Sequence, residues 1–90
     1  MAAAVRFTLE ELGERAPGRS VEVRVPPFGV VQCVSGPRHT RGTPPNVIET
    51  DAATWLALAT GRLGWSEALD SGALHASGRR ADLVAYLPLA

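Results

Sequence analysis

Apolar residues along this chain fall into short runs whose spacing changes repeatedly, and each change marks an element. Near the N-terminus Val5, Leu9 and Leu12 recur at helical spacing, with Phe7 and Ala16 beside them. Glu10, Glu11, Glu14 and Arg15 occupy the other side. The spacing predicts an amphipathic helix ended by Pro17-Gly18. It starts without a good capping side chain, the pattern of a longer helix that has been trimmed.

From Ser20 to Val25 the period changes to two. Val21, Val23 and Val25 point one way, and Glu22 and Arg24 the other, which predicts a half-buried strand. Pro26-Pro27 then confines the chain to an edge, a bulge or a turn, because proline has no N–H to give to a ladder. Phe28 to Val34 is almost continuously apolar and predicts a second, more buried strand, ended by Ser35-Gly36-Pro37.

Arg38 to Asn46 (RHTRGTPPN) has the composition of a loop stiffened by Pro44-Pro45, and Val47 to Thr50 is a short strand. Asp51, or Thr50, suits the N-cap of a helix carrying Trp55, Leu56 and Leu58, with Gly61 as its stop. Gly64 to Ser71 predicts a further short helix closed by Gly72. Leu74 and Ala76 alternate with His75 and Ser77 in a last strand, and Leu83, Tyr86 and Leu87 predict a terminal helix halted by Pro88. Consecutive strands on short connections favour antiparallel pairing. The fold class expected is α+β, with a mainly antiparallel four- or five-stranded sheet covered on one side by helices.

Ninety residues suffice for one domain with a thin core, so any ligand cavity must be small, open at one side, or completed by another chain. Nine acidic and nine basic residues give a formal charge of zero, which leaves no field to steer the protein to nucleic acid or an anionic membrane. All basic residues are Arg, which together with the Ala, Gly and Pro content reads as a GC-rich coding bias. No stretch has the run of roughly 18 apolar residues that spans a bilayer, and the start lacks the apolar core of a signal peptide. Cys33, the one cysteine, lies in an apolar run and reads as an inert thiol in a reducing cytosol. A soluble, cytoplasmic protein is expected.

Candidate chemistry is sparse. His39, His75 and Cys33 fall on different elements without ligand spacing, so no metal site and no cofactor are expected. No serine has a nucleophile-elbow context, and Gly36, Gly42 and Gly61 do not form a phosphate loop, so no catalytic residue is expected. Arg38, His39 and Arg41 form the most concentrated polar cluster. They read either as an anion clamp for a carboxylate or phosphate, or as a solvated loop, the commoner outcome for such a segment. Trp65, beside Gly64, reads as a partly exposed aromatic, packed or serving as an interface anchor.

Thr50-Asp51, Trp55-Leu56, Leu58, Thr60-Gly61-Arg62, Ala68, Gly72, Leu74, Gly78 and Leu83 together resemble the C-terminal half of the sterol carrier protein family. PGRSVEVRVPPFGVVQCV and GPRHTRGTPPNVIETD are similar in particular to small actinobacterial sterol carrier family proteins, so that the resemblance covers roughly residues 5 to 90. It implies a sheet covered by helices with an apolar tunnel between the layers that accepts acyl chains or sterol-like molecules, and no shared catalytic residues. In some bacterial relatives such a domain follows a metal-binding helical bundle that catalyses mycothiol-dependent isomerisation, a half with no counterpart in this sequence. The chain is shorter than the animal lipid carriers, and four strands are counted where those have five.

On that expectation the ligand, a fatty acid or other lipid, would lie between Phe28, Val31 and Cys33 of the sheet and Trp55, Leu58, Leu69, Leu83 and Leu87 of the helices. The same apolar stripes are equally the signature of a filled core. The alternatives left open are an interaction or dimerisation module whose cavity is filled by side chains, a homodimer included, and an accessory subunit of an enzyme on another chain.

Overall fold

The structure, a computed structural model, describes residues 1–36 and 46–89. Its elements run α1 (Ala2–Arg15), β1 (Val21–Val25), β2 (Gly29–Cys33), β3 (Asn46–Thr50), α2 (Ala52–Ala59), α3 (Trp65–Asp70) and β4 (Leu74–Ser77). The strands form one four-stranded sheet in the order β2-β1-β3-β4. The fold is α+β.

Period-two alternation does its expected work in β1, where Val21, Val23 and Val25 are all completely buried. In register with them on the same face stand Cys33, Val31 and Gly29 of β2, Ile48 of β3, and beyond it Ala76 of β4. Helix α1 lies over β2 on this face. A Cβ added to Gly29 would meet Leu9 Cδ1 at 3.2 Å, and one added to Gly13 would meet Val31 Cγ2 at 3.1 Å. Val5, Leu9 and Leu12 supply its buried stripe, while Phe7 points to solvent at 68% exposure. On the opposite face Val30, Gln32, Glu49, His75 and Ser77 are exposed.

Pro26 and Pro27 sit in the turn between β1 and β2, closed by the Phe28 N–H donating to the Val25 carbonyl at 2.9 Å. The second strand is shorter than the Phe28–Val34 run and is not the more buried one. It is an edge strand with Val30 58% exposed, and β1 is the central one. A continuous apolar run reports burial only where both faces are covered, and here one is not.

The antiparallel expectation holds for β1–β2 and β3–β4 but fails for β1–β3, which run parallel. The register gives the reason. Cys33 and Asn46 both stand beside Val21, so β2 ends at the end of β1 where β3 begins, and β3 enters on the other side of β1 in the same direction. Asn46, read from sequence as the last loop residue, is the first residue of β3. Its buried amide donates to the Ser20 carbonyl at 2.7 Å and accepts from the Arg80 N–H at 2.9 Å.

Asp51 caps α2, its Oδ1 accepting from the Thr54 N–H at 2.7 Å. Gly61 and Gly72 follow α2 and α3 with φ of +80° and +79°, the left-handed angles that glycine adopts without a Cβ penalty. The terminal helix expected over Leu83, Tyr86 and Leu87 does not form. The segment makes a single turn, with the N–H groups of Tyr86 and Leu87 both donating to the Leu83 carbonyl. Asp82 starts that turn by accepting from the Val84 N–H at 2.9 Å, and Pro88 stops it. The length between them does not repay the cost of nucleating a helix. Beyond Pro88, the Leu89 N–H donates to the Ala59 carbonyl at 2.8 Å and the Leu89 carbonyl accepts from the Arg15 guanidinium, so the chain end is strapped to both α1 and α2.

Candidate functional site

The interior between the sheet and the helices is closed around the residues expected to line a tunnel. Cys33 and Leu83 are completely buried and Trp55 is 1% exposed, its indole Nε1 donating to Thr8 Oγ1 at 2.8 Å. Phe28 and Val31 are partly buried against the same core, and Leu69 turns outward at 39% exposure. Leu58 and Leu87 are the two of the expected set that line a described cavity.

That cavity, about 270 Å³, lies where the end of α2, the start of α3 and the C-terminal strap meet. Leu58 of α2, Leu63 of the connection and Trp65 of α3 form one part of the lining, Val84, Leu87 and Pro88 of the strap another, and Gly61 and Gly64 complete it. Local chemistry builds each wall. Gly61 turns the chain out of α2, and a Cβ there would stand 3.3 Å from Pro88 Cβ. The N–H groups of Arg62 and Leu63 both return to the Ala57 carbonyl, at 2.9 and 3.2 Å, which fixes the connection. The strap presents Leu83 to the core and leaves Val84, 60% exposed, and Leu87 to the cavity. Among the described residues no ionisable side chain lines it.

Leu63, Trp65 and Val84 were not singled out as ligand-facing from sequence. Trp65 is buried at 9% exposure rather than partly exposed. The Gly61 and Gly64 pair around Leu63 was the available signal, since two glycines that close together bend a chain around something.

Two wider depressions open elsewhere. One of about 450 Å³ touches Glu22, Arg24, Pro26, Pro27, Val30 and Glu49, and one of about 330 Å³ touches Pro26, Glu49, Asp51, Gly72 and His75. They are larger but more open, and charged side chains line them. Enclosure and an apolar wall, rather than volume, mark a site for an apolar ligand, so the smaller cavity is the better candidate.

Little in the described residues supports bond-making chemistry. Burial pushes the Cys33 thiol up to about 11, so it stays protonated and unreactive at neutral pH. Among the described residues no group of three or more His, Cys, Asp or Glu is placed to hold a metal ion, and no helix is long and apolar enough to cross a membrane. The Arg38, His39 and Arg41 cluster lies outside the described residues.

Curated proteins include no match to this sequence. A family model described as "Bacterial SCP ortholog" matches residues 1–89, nearly the whole chain, including the Thr60-Gly61-Arg62 turn and the sheet that it follows, and the chain belongs to that bacterial family of sterol carrier protein type.

Proposed function

We propose that the chain works as one non-catalytic domain that binds the apolar part of a fatty acyl or similar lipid, in the cytosol and without a cofactor. The observation that carries this reading is the apolar, partly open cavity at the strap, lined by Leu58, Leu63, Trp65, Val84 and Leu87 with no ionisable group among them. Family membership supports a carrier-type role. At about 270 Å³ the cavity falls just below the ~300–1,000 Å³ typical of sites that enclose a whole small molecule. It suits the end of an acyl chain rather than a sterol nucleus.

Burying about five methylenes supplies about 4 kcal/mol before the cost of immobilising the ligand, so millimolar affinity is the most this burial alone provides, and micromolar affinity needs at least twice that. Binding is therefore expected to be weak, and to strengthen with chain length until the cavity is full. Titrating saturated fatty acids of increasing length against amide and methyl NMR shifts tests it. Saturable shifts centred on Leu58, Leu63, Trp65, Val84 and Leu87 are expected. No shift up to the solubility limit of the ligand would refute the reading.

The closed interior around Cys33, Trp55 and Leu83 favours a second reading, an interaction module that keeps the fold with its centre filled. Its simplest form is a homodimer. A concentration-dependent mass by sedimentation, together with an absence of lipid binding, would establish it over the carrier reading.

A further inference from the structure

Arg62 stands between Gly61 and Leu63, two residues that line the cavity. Its backbone is held by the bond to the Ala57 carbonyl, and its side chain is held as well. Nε donates to Thr60 Oγ1 at 3.1 Å, and Thr60 Oγ1 donates onward to the Leu56 carbonyl at 2.7 Å. This chain of bonds uses one of the five guanidinium N–H donors and leaves the terminal N–H groups to solvent. Among the described residues Arg62 makes no ion pair. An apolar cavity whose connecting turn carries, between two lining residues, an arginine with a held and exposed side chain matches an amphiphile that is apolar at one end and anionic at the other.

We propose that Arg62 binds the anionic head, carboxylate or phosphate, of the amphiphile whose apolar end occupies the cavity. The proposal rests on the cavity reading above and narrows it: neutral alcohols, esters and sterols bind less well than anions of the same tail. Arg62 also lies just past the C-terminal end of α2, where a cation is favourable to the helix dipole. That role would appear in stability and not in head-group preference, so the two separate experimentally. Glu67 is the opposing charge nearby, its Oε1 being 3.3 Å from where a Cβ on Gly64 would stand.

The test measures the affinity of decanoate, decyl phosphate and decanol for the parent protein and for Arg62→Gln, at low and high salt. Because the guanidinium is exposed, the parent should prefer one or both anions over decanol by about two- to fivefold at low salt, and less in high salt. Arg62→Gln should reduce that anion to the decanol level while leaving decanol affinity unchanged, and Glu67→Gln should strengthen anion binding. Equal binding of the anions and decanol by the parent, or a preference that survives in Arg62→Gln, would overturn the assignment while leaving the cavity reading intact. Binding of none of the three would remove the cavity reading, and this assignment with it.

Discussion

Replacing Trp55 tests the packing that holds the two layers together. Its ring is 1% exposed at the centre of the core, and its Nε1 donates to Thr8 Oγ1 on α1, which ties α2 to α1. Thr8 Oγ1 itself donates to the Ala4 carbonyl at 2.7 Å, so removing the indole leaves Thr8 satisfied and the loss is mainly one of packing. Truncating a buried Trp to Ala costs about 3–5 kcal/mol. A chain of 90 residues at about 0.05–0.15 kcal/mol per residue has about 5–13 kcal/mol in total. Trp55→Ala therefore removes from about a quarter to all of the stability. With a urea slope of about 1–1.5 kcal/mol/M, the midpoint should fall by about 2–5 M, or the variant should be unfolded without denaturant. Trp55→Phe keeps a ring in place and should cost less, about 1–2 kcal/mol. Thr8→Val leaves the buried N–H without its acceptor and should cost about 1–3 kcal/mol. In the double variant these losses should not add, because both remove the same bond. Unfolding followed by far-ultraviolet circular dichroism is the assay, since Trp65 would confuse a fluorescence signal. A Trp55→Ala midpoint close to that of the parent, or strict additivity of Trp55→Phe and Thr8→Val, would refute the account.

Gly61→Ala and Gly72→Ala both force a side chain into left-handed backbone angles, at about 1 kcal/mol each, but only Gly61 also faces Pro88. Melting temperatures should drop about 4–8 °C for Gly72→Ala and further for Gly61→Ala, and the reverse order would mean that the strap does not rest on this turn. Cys33 gives a pH dependence of known sign. Its thiol is raised from 9.0 to about 11 on folding, so between those values the folded protein keeps a proton that the unfolded chain has lost. Stability should be indifferent to this group below 9 and should fall between 9 and about 11, by about 2–3 kcal/mol in all. Urea midpoints across that window should decline more steeply for the parent than for Cys33→Ala, and parallel declines would contradict the burial argument.

The elements were legible in sequence because each rests on a local pattern: Val21, Val23 and Val25 on alternate positions, Val5, Leu9 and Leu12 at helical spacing, Asp51 and Gly61 at the two ends of α2. What was not legible is non-local. Whether β3 runs with or against β1 depends on which end of β1 receives it, and Asn46 reaching Ser20 is a contact that no neighbouring residue announces. An apolar stripe, likewise, says that a side chain avoids water and not whether another side chain or a ligand excludes that water. Trp55 and Leu83 belong to the filled interior and Leu58 to a cavity wall, although all three are almost completely buried.

The cavity itself follows from the one element that the periodicity named wrongly. Read as a helix, Leu83, Tyr86 and Leu87 share one face, and all three would press on the same part of the core. The chain instead turns once between Asp82 and Pro88, so that Leu83 drops into the core while Val84 and Leu87 face the end of α2. Leu89 then returns to Ala59 and Arg15, which fixes the far end of the strap and, among the described residues, leaves Leu83 to Pro88 as a wall without backbone bonds to α2. A helix there would have satisfied its own backbone and packed its stripe to native density, closing the space. The short turn cannot follow the surface of α2 as closely, and the gap it leaves is bounded by apolar side chains on either side. The site thus depends on Pro88 stopping the turn that Asp82 starts before it can extend into a helix. Pro88 carries no chemistry that a search for catalytic or metal-binding side chains would notice.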